Sequence, residues 1–193
     1  MDKLLETERL IIRRWNPEID AEQAFEIYGD AEVMRFIGTG KTEANIETQR
    51  QSLEAAIERY KHNNNTSTGA WAIVEKESAT VVGTILLKQL PDTKGQPTND
   101  YEIGWHLRKA SWGKGYATEA GRRIINYGFN ILQLPVIYAV VKPENHASVK
   151  VTQRLGMTPL GITNQYYNGV ELLLFKLDLQ ENKSEMRLSG EEI

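Results

Sequence analysis

Two glycines between a strand pattern and a helix pattern constrain this sequence more than any other feature. Residues 112–120 read WGKGYATEA, with glycine at positions 113 and 115. A strand-like run, 101–107, precedes them, and an amphipathic helical period follows over about residues 114–132. Glycine adopts positive φ without steric cost, so the N–H groups of such a turn can point outward together at a helix N-terminus. The segment therefore predicts a strand–turn–helix unit whose turn can bind a phosphate or pyrophosphate.

The residues of the turn exclude two nucleotide-binding motifs. A dinucleotide-binding G-x-G-x-x-G does not fit because Thr118 occupies the third glycine position. A P-loop does not fit because Arg108 stands where its first glycine belongs. Two interpretations stay open from the residues alone, a phosphate-binding turn and an ordinary strand-to-helix turn.

The periodicity of the whole chain predicts an α+β fold in the order β-α-α-β-β-β-α-β-α-β-β. One helix is expected to start at Thr42, and the helix of residues 114–132 is expected to bury Ile131. The apolar run 136–141 is typical of a strand buried on both faces, and the following helix is expected to turn Ala147 inward. Asn168-Gly169 predicts a hairpin between the last two strands. The apolar stripe of the helix that starts at Thr42 is Ile46, Leu53, Ile57 and Tyr60.

Composition limits the class of protein. The 193 residues predict one domain, residues 1–180, followed by a polar tail, residues 181–193. A net charge of −3 argues against nucleic-acid binding. The chain has no cysteine, no signal peptide and no apolar run that could span a membrane, which fits a cytoplasmic protein. Its three histidines, His62, His106 and His146, form no metal-ligand cluster, so no metal is expected.

A second turn carries a family resemblance. Residues 143–148 (PENHAS) follow the strand 136–141 and open another helix. Together with residues 102–105 (EIGW) and the glycine turn, they resemble the GNAT N-acetyltransferase superfamily, most closely its Rim-type branch of ribosomal-protein N-terminal acetyltransferases. The resemblance covers about residues 5–180. It implies a single GNAT-like domain whose central, mixed and mostly antiparallel sheet of about seven strands is flanked by helices and splayed in the middle. Further matching segments are residues 5–10 (LETERL) with Arg13, 30–34 (DAEVM) and 155–157 (LGM).

The same resemblance implies acetyl-CoA as cosubstrate. Its pyrophosphate would lie on the backbone of the glycine turn, although Trp112 replaces the Gln or Arg that usually opens this motif. The pantetheine arm would pair with the strand edge at residues 105–107. The implied cofactor-binding residues are Trp105, His106, Leu107, Gly113, Lys114, Gly115, Ala117, Thr118 and Asn145.

Two residues are implied to act in catalysis. Glu102 is the candidate general base that accepts the proton of the attacking amine, and a solvated strand carboxylate is the alternative. Ser148 is the candidate donor to the departing thiolate, and a helix cap shared with Asn145 is the alternative. Gln165 aligns with a position where the branch sometimes carries a carboxylate, and an amide cannot serve as a base.

The acceptor is expected to be a primary amine, either on a small molecule or at a protein N-terminus. At pH 7 about 10% of an α-amine is unprotonated, against about 0.04% of a lysine amine, so a weak base favours an α-amine. Without cysteine, direct transfer is expected, in a monomer or a homodimer. A non-catalytic acyl-CoA-binding sensor or scaffold is the alternative function. Candidates for the acceptor groove, each of which could instead pack in the core or rim, are Arg14, Trp15, Phe36, Tyr60, Tyr166 and Tyr167.

Overall fold

Eight strands of the described residues form one mixed sheet in the order β1-β2-β3-β4-β5-β6-β8-β7. The computed structural model describes residues 3–62 and 67–178, so the predicted tail, 181–193, lies outside the described residues. Five α-helices and two 3-10 segments, Lys109–Ser111 and Tyr167–Gly169, complete these ranges. The strands and α-helices are β1 Lys3–Glu6, β2 Leu10–Arg13, α1 Pro17–Tyr28, α2 Ala31–Met34, α3 Ile46–His62, β3 Gly69–Glu75, β4 Val81–Pro91, β5 Pro97–Leu107, α4 Tyr116–Asn130, β6 Val136–Val141, α5 His146–Arg154, β7 Thr158–Thr163 and β8 Leu172–Asp178.

The sheet confirms an α+β fold with a mixed sheet, and it has one more strand than expected. The extra strand is β1, which pairs antiparallel with β2 and whose four residues are too few to show an alternating pattern. β5 pairs parallel with β6 at Glu102 and Tyr138, and β8 pairs antiparallel with both β6 and β7. Within the described ranges, none of the helices combines the length and apolar character that a membrane crossing needs.

The chain divides into two compact units. The first unit comprises Met1–Leu86 and Trp105–Arg123, and the second comprises Leu87–Gly104 and Ile124–Ile193. In the first unit, one face of α1 and α3 packs on β3 and β4 around a buried apolar cluster. Its buried members are Trp15, Ala24, Ile27, Val33, Leu53, Ala72, Val74 and Val81.

A buried ion pair holds α1 against the end of β2. The Arg13 guanidinium donates to both carboxylate oxygens of Asp20, at 2.6 and 2.8 Å, and both residues are buried. The Asn16 backbone N–H donates to the same carboxylate at 2.8 Å. The Asn16 side chain caps the helix by accepting from the N–H of Glu18. Residue 13 therefore serves packing in this unit.

The third helix begins later than the sequence predicts, at Ile46 and not at Thr42. Asn45 and Thr48 cap each other, because the Thr48 N–H donates to Asn45 Oδ1 and the Asn45 N–H donates to Thr48 Oγ1. Residues 42–45 are consequently irregular. Ile46 is exposed, so its predicted place in the buried stripe of this helix is wrong. Leu53 is buried as predicted.

In the second unit, α4 lies closely on β6. A Cβ at Gly128 would come within 2.7 Å of Ile137 Cδ1, so a larger residue here requires the Ile137 side chain to move. α4 ends at Asn130, which leaves Ile131 exposed and makes its predicted burial wrong. β6 alternates between buried and partly buried residues, so it is not fully covered on both faces as expected. Ala147 is exposed in the first turn of α5, and burial begins one turn later at Val151.

Candidate functional site

The glycine turn of the first unit has the backbone that the sequence predicts. Gly113 and Gly115 have φ of +77° and +83°, in the left-handed region where a side chain is strained. A Cβ at Gly113 would meet nothing within 4 Å, so the space above this part of the turn is open. α4 begins directly afterwards at Tyr116, and its first N–H groups have no partner within the helix. This arrangement suits an anion held by backbone N–H groups.

Arg9, in the loop between β1 and β2, braces this turn. Its Nη1 donates to the Lys114 carbonyl at 3.1 Å, and its guanidinium lies 4.9 Å from the centre of the Tyr116 ring. The same guanidinium forms an ion pair with Glu119, whose carboxylate also accepts from the Thr7 hydroxyl. Burial raises the pKa of Glu119, but the hydrogen bonds from Thr7 and Arg9 outweigh burial and hold the pKa below its usual value. Glu119 is therefore structural, and Arg9 is a positioning residue that the sequence analysis did not single out.

Trp112 fills the position where the resembled motif usually has Gln or Arg. Its indole N–H donates to the Leu107 carbonyl at 3.0 Å, and the residue is 46% exposed. The side chain therefore packs over the end of β5, and the following glycines have the left-handed φ that the turn requires.

β4 approaches β5 unusually closely in the first unit. A Cβ at Gly83 would lie 2.5 Å from the His106 carbonyl oxygen and 3.1 Å from Leu107 Cα. Backbone atoms cannot move aside cheaply, so this position requires glycine. The close approach fixes the backbone of residues 106 and 107, for which the family resemblance implies cofactor binding.

The His106 side chain contacts α1. Its Nδ1 lies 3.2 Å from the Tyr28 hydroxyl, and the two rings meet edge to face at 5.8 Å. The Tyr28 hydroxyl also hydrogen-bonds the Thr84 hydroxyl at 2.6 Å. The imidazole thus belongs to a polar network of α1 and β4, whereas the backbone of His106 belongs to β5.

A buried carboxylate marks the second unit. Glu102 is 5% exposed and lies on β5 at the parallel pair with Tyr138. Tyr167 donates a hydrogen bond to Glu102 Oε1, and Lys88 Nζ lies 3.4 Å from the same oxygen. Burial raises the pKa of Glu102, and this effect exceeds the lowering by Lys88 and Tyr167. A carboxylate with a raised pKa, held by fixed donors, suits a general base better than an exposed one.

Tyr167 is held in a strained backbone conformation. Its φ is +50°, followed by +60° at Asn168 and +78° at Gly169. A bulky residue in the left-handed region is unusual and occurs where surrounding contacts enforce it. The ring lies 5.3 Å from Lys88 Nζ, so the strained turn directs both the hydroxyl and the ring of Tyr167 onto the Lys88–Glu102 pair.

The N-terminus of α5 separates the roles of the two polar residues that the sequence places there. The Asn145 side chain is the cap, because its Oδ1 accepts from the Ser148 N–H at 3.2 Å. Ser148 contributes its backbone to the cap, and its side chain is partly exposed. Capping by Asn145 therefore does not use the Ser148 hydroxyl.

The predicted site residues fall into two groups. The first unit holds Trp105, His106 and Leu107 on β5 and the turn residues up to Thr118, while the second unit holds Glu102, Asn145 and Ser148. Tyr167, proposed only as a groove wall, contacts Glu102 directly, and the Tyr166 hydroxyl donates to Asp100 at 2.8 Å. The Tyr60 side chain lies outside the described part of the chain. Residues that the sequence analysis missed are Arg9, Gly83 and Lys88.

Comparisons with known proteins agree with one another. A family model described as an acetyltransferase (GNAT) domain matches residues 9–158. The uncharacterized N-acetyltransferase YoaA of Bacillus subtilis is 30% identical over 166 residues, which cover 86% of this chain and 89% of YoaA. A GNAT-family acetyltransferase structure from Bacillus anthracis is 25% identical with a TM-score of 0.70, covering 90% of this chain and 97% of that chain. The ribosomal-protein-S5-alanine acetyltransferase of Vibrio fischeri has the same fold, with a TM-score of 0.68, 22% identity and coverage of 90% of this chain and 95% of its own.

Proposed function

The chain belongs to the GNAT acetyltransferase family, and from this premise we propose that it transfers the acetyl group of acetyl-CoA directly to a primary amine. The observation that carries the proposal is the glycine turn, with two left-handed glycines and open space at the start of α4. Acetyl-CoA supplies an activated thioester, so that a C–N bond forms, the C–S bond breaks and a free thiol is released.

The residues of the turn fit the diphosphate of this cosubstrate. Its oxygens require several N–H donors and room for a bulky anion. The left-handed backbone at Gly113 and Gly115 suits the donors, and the open space at Gly113 suits the anion. The backbone from Gly113 to Thr118 would hold the diphosphate, with Lys114 adding positive charge. The backbone of Trp105, His106 and Leu107 would hold the extended arm.

Glu102 is the proposed general base. Its ionised carboxylate takes one proton from the nitrogen of the neutral amine as that nitrogen attacks the thioester carbonyl, directly or through a water molecule. The departing thiolate then gains a proton and leaves as the free thiol. Tyr167 and Lys88 stabilise the ionised form of Glu102 and orient its carboxylate. Burial raises the pKa of this carboxylate and so keeps it basic enough to receive the proton.

Ser148 is the proposed donor to the leaving sulfur. Because Asn145 already caps α5 through the Ser148 N–H, the Ser148 hydroxyl is available for a second task. A hydroxyl cannot act as a strong acid, so its contribution is a hydrogen bond to the sulfur as negative charge develops there.

The proposed acceptor is a primary amine on a small molecule or at a protein N-terminus. The shared fold with the S5-alanine acetyltransferase of V. fischeri supports the second source. The rival proposal is an acyl-CoA-binding sensor without catalysis. Such a sensor would require the glycine turn, but it would not require the buried Glu102 as a base.

The test of the proposal is acetyl-CoA binding followed by thiol release with a panel of amines. A ligand at 100 times its Kd stabilises a fold by about 2.7 kcal/mol. For a chain of this size that corresponds to a rise in Tm of about 5–11 °C. Gly115→Val should abolish the rise, because a branched side chain strains the turn and blocks the anion.

Gly95→Val is the matched control. Gly95 also has a left-handed φ, +77°, but it lies in the loop between β4 and β5 and is not part of the glycine turn. It should lower the Tm of the apo protein by a similar strain and leave the acetyl-CoA response intact. An unchanged response in Gly115→Val would remove the turn as the binding site, and binding without turnover of any amine would favour the sensor.

A further inference from the structure

The first unit contains a cavity that the proposed chemistry does not use. Its volume is about 200 Å³, and elements α1, α3, β3 and β4 contribute to its walls. One part of the lining is apolar and aromatic, including Trp15, Leu53 and Ile57. The other part is polar and includes Glu43, Gln49 and Ser52. A small pocket with mixed walls suits a ligand that has an aliphatic stem and a polar end.

A buried amide in this lining has an unmet hydrogen bond. Gln49 is only 2% exposed, and its Oε1 has no hydrogen-bond partner. An unsatisfied buried acceptor destabilises a fold by about 1–3 kcal/mol. Proteins seldom retain such a group without a task, and the missing partner must be a donor. Gln49 lines the cavity, so a rotation of its amide toward the cavity would let a ligand N–H group supply that donor.

The irregular start of α3 adds a carboxylate to the lining of the same cavity. The Glu43 N–H donates to the Tyr28 carbonyl at 2.9 Å, which fixes the backbone of residue 43 against the end of α1. The Ser52 hydroxyl donates to Glu43 Oε1 at 2.7 Å and orients the carboxylate. Had the helix started at Thr42, as its sequence pattern suggests, residue 43 would lie within its first turn. The cavity therefore combines a negative charge, a carbonyl acceptor and an aromatic wall, which together favour a cation.

We propose that this cavity binds a cationic aliphatic nitrogen of the acceptor, and that a separate amine of the same acceptor is acetylated. The inference rests on the proposed function and names its substrate class: amines that carry a second positive charge. A volume of about 200 Å³ admits one alkylammonium arm and is smaller than the about 300–1,000 Å³ of drug-sized sites.

The charge of Glu43 explains why the bound nitrogen is not the nucleophile. A nearby carboxylate favours the protonated form of an amine, and a protonated amine cannot attack a thioester. The held nitrogen is thus an anchor that positions the rest of the acceptor.

The cavity also adjoins the strand that is expected to hold the pantetheine arm. Tyr28 and Thr84 line the cavity, and the Tyr28 hydroxyl contacts His106 on β5. An acceptor anchored in the cavity therefore lies within the same unit as residues 105–107 of that strand. A pocket close to the bound thioester can raise the rate of transfer, because it holds the acceptor amine in a fixed orientation.

The experiment compares short α,ω-diamines with n-alkylamines of equal chain length, with acetyl-CoA at saturation. We expect kcat/KM about 10-fold or more higher for the diamines, mainly through KM, since a fixed charge partner contributes to binding. Glu43→Gln should remove this advantage and leave the monoamine rates unchanged. Glu47→Gln is the matched control, because it removes the same charge from an exposed position on α3 outside the cavity lining. Peptides with lysine or norleucine after the N-terminal residue distinguish a protein acceptor from a small polyamine.

A second variant gives a readout that does not depend on turnover. Gln49→Leu removes the unsatisfied acceptor, so the Tm of the apo protein should rise while stabilisation by a diamine falls. A lower apo Tm with an unchanged diamine response would show that Gln49 serves packing or a buried water and would overturn the inference.

Failure of the inference and failure of the proposed function give different results. Equal rates for diamines and monoamines, unchanged in Glu43→Gln, would overturn the inference and leave acetyl transfer in place. Absence of both acetyl-CoA stabilisation and amine turnover would overturn the proposed function. In that case, a rise in Tm on addition of a diamine would still support the cavity as a cation site if Glu43→Gln abolishes it. Absence of that rise would overturn the cation site as well as the proposed function.

Discussion

Removal of the Tyr167 hydroxyl should move the acid limb of the pH–rate profile. Tyr167 donates to the buried carboxylate of Glu102, and this hydrogen bond stabilises the ionised form. A hydrogen bond to a charged group contributes about 1.5–3 kcal/mol. At 1.36 kcal/mol per pKa unit, Tyr167→Phe should raise the pKa of Glu102 by about 1–2 units above its already raised value.

The direction of the rate effect follows from the role of the base. A general base acts in its ionised form, so a higher pKa shifts the acid limb to higher pH. At a fixed pH on that limb, kcat should fall about 10- to 100-fold, and above the limb it should approach the wild-type value. The assay is kcat against pH, measured with a weakly basic amine whose own pKa lies below the tested range.

Tyr166→Phe is the matched control, because the Tyr166 hydroxyl donates to Asp100 and not to Glu102. Its acid limb should stay where the wild-type limb lies. If the limb of Tyr167→Phe also stays in place, Glu102 is not the titrating base. A uniform loss at every pH would assign Tyr167 a structural role instead.

Two further variants test the remaining assignments. Glu102→Gln should lower turnover most at low pH, because few acceptor amines are unprotonated there without a base. Stabilisation by acetyl-CoA should stay normal. An equal loss of turnover at every pH from about 6 to 9, the range that the general-base argument calls for, would argue against Glu102 as the base. Ser148→Ala should slow transfer by about 10- to 1,000-fold, the effect of losing one well-placed donor, with little change in Tm because Asn145 supplies the cap. Normal turnover with a lower Tm would show that Ser148 is structural.

Local rules explain which features could be predicted from the sequence. Asn16 and Asp30 cap α1 and α2, the role that Asn and Asp favour at a helix N-terminus, since each side chain accepts from N–H groups two or three residues ahead. The left-handed glycines at 113 and 115 follow from residue type alone. The family and its fold followed from the order of short motifs, and the comparisons confirm them.

Features that depend on register or on tertiary partners were not predictable. Lys88, Glu102 and Tyr167 are far apart in sequence, and only the sheet and the strained 167–169 turn bring them together. The start of α3 depended on competition between two capping choices, which periodicity does not detect. Gly83 carries no signal in the sequence, because its requirement arises from the backbone of β5.

The position of Trp112 provides a tryptophan fluorescence signal for the proposed binding turn. The residue is 46% exposed and Trp105 is partly exposed, whereas Trp15 and Trp71 are 7% and 2% exposed. Water around an indole shifts its emission to longer wavelength and admits soluble quenchers, so Trp112 emits differently from the two buried rings. A ligand that covers the turn would exclude water from this ring and protect it from a quencher. The residue that departs from the usual motif therefore provides a label-free binding signal, and the difference between wild type and Trp112→Phe isolates it.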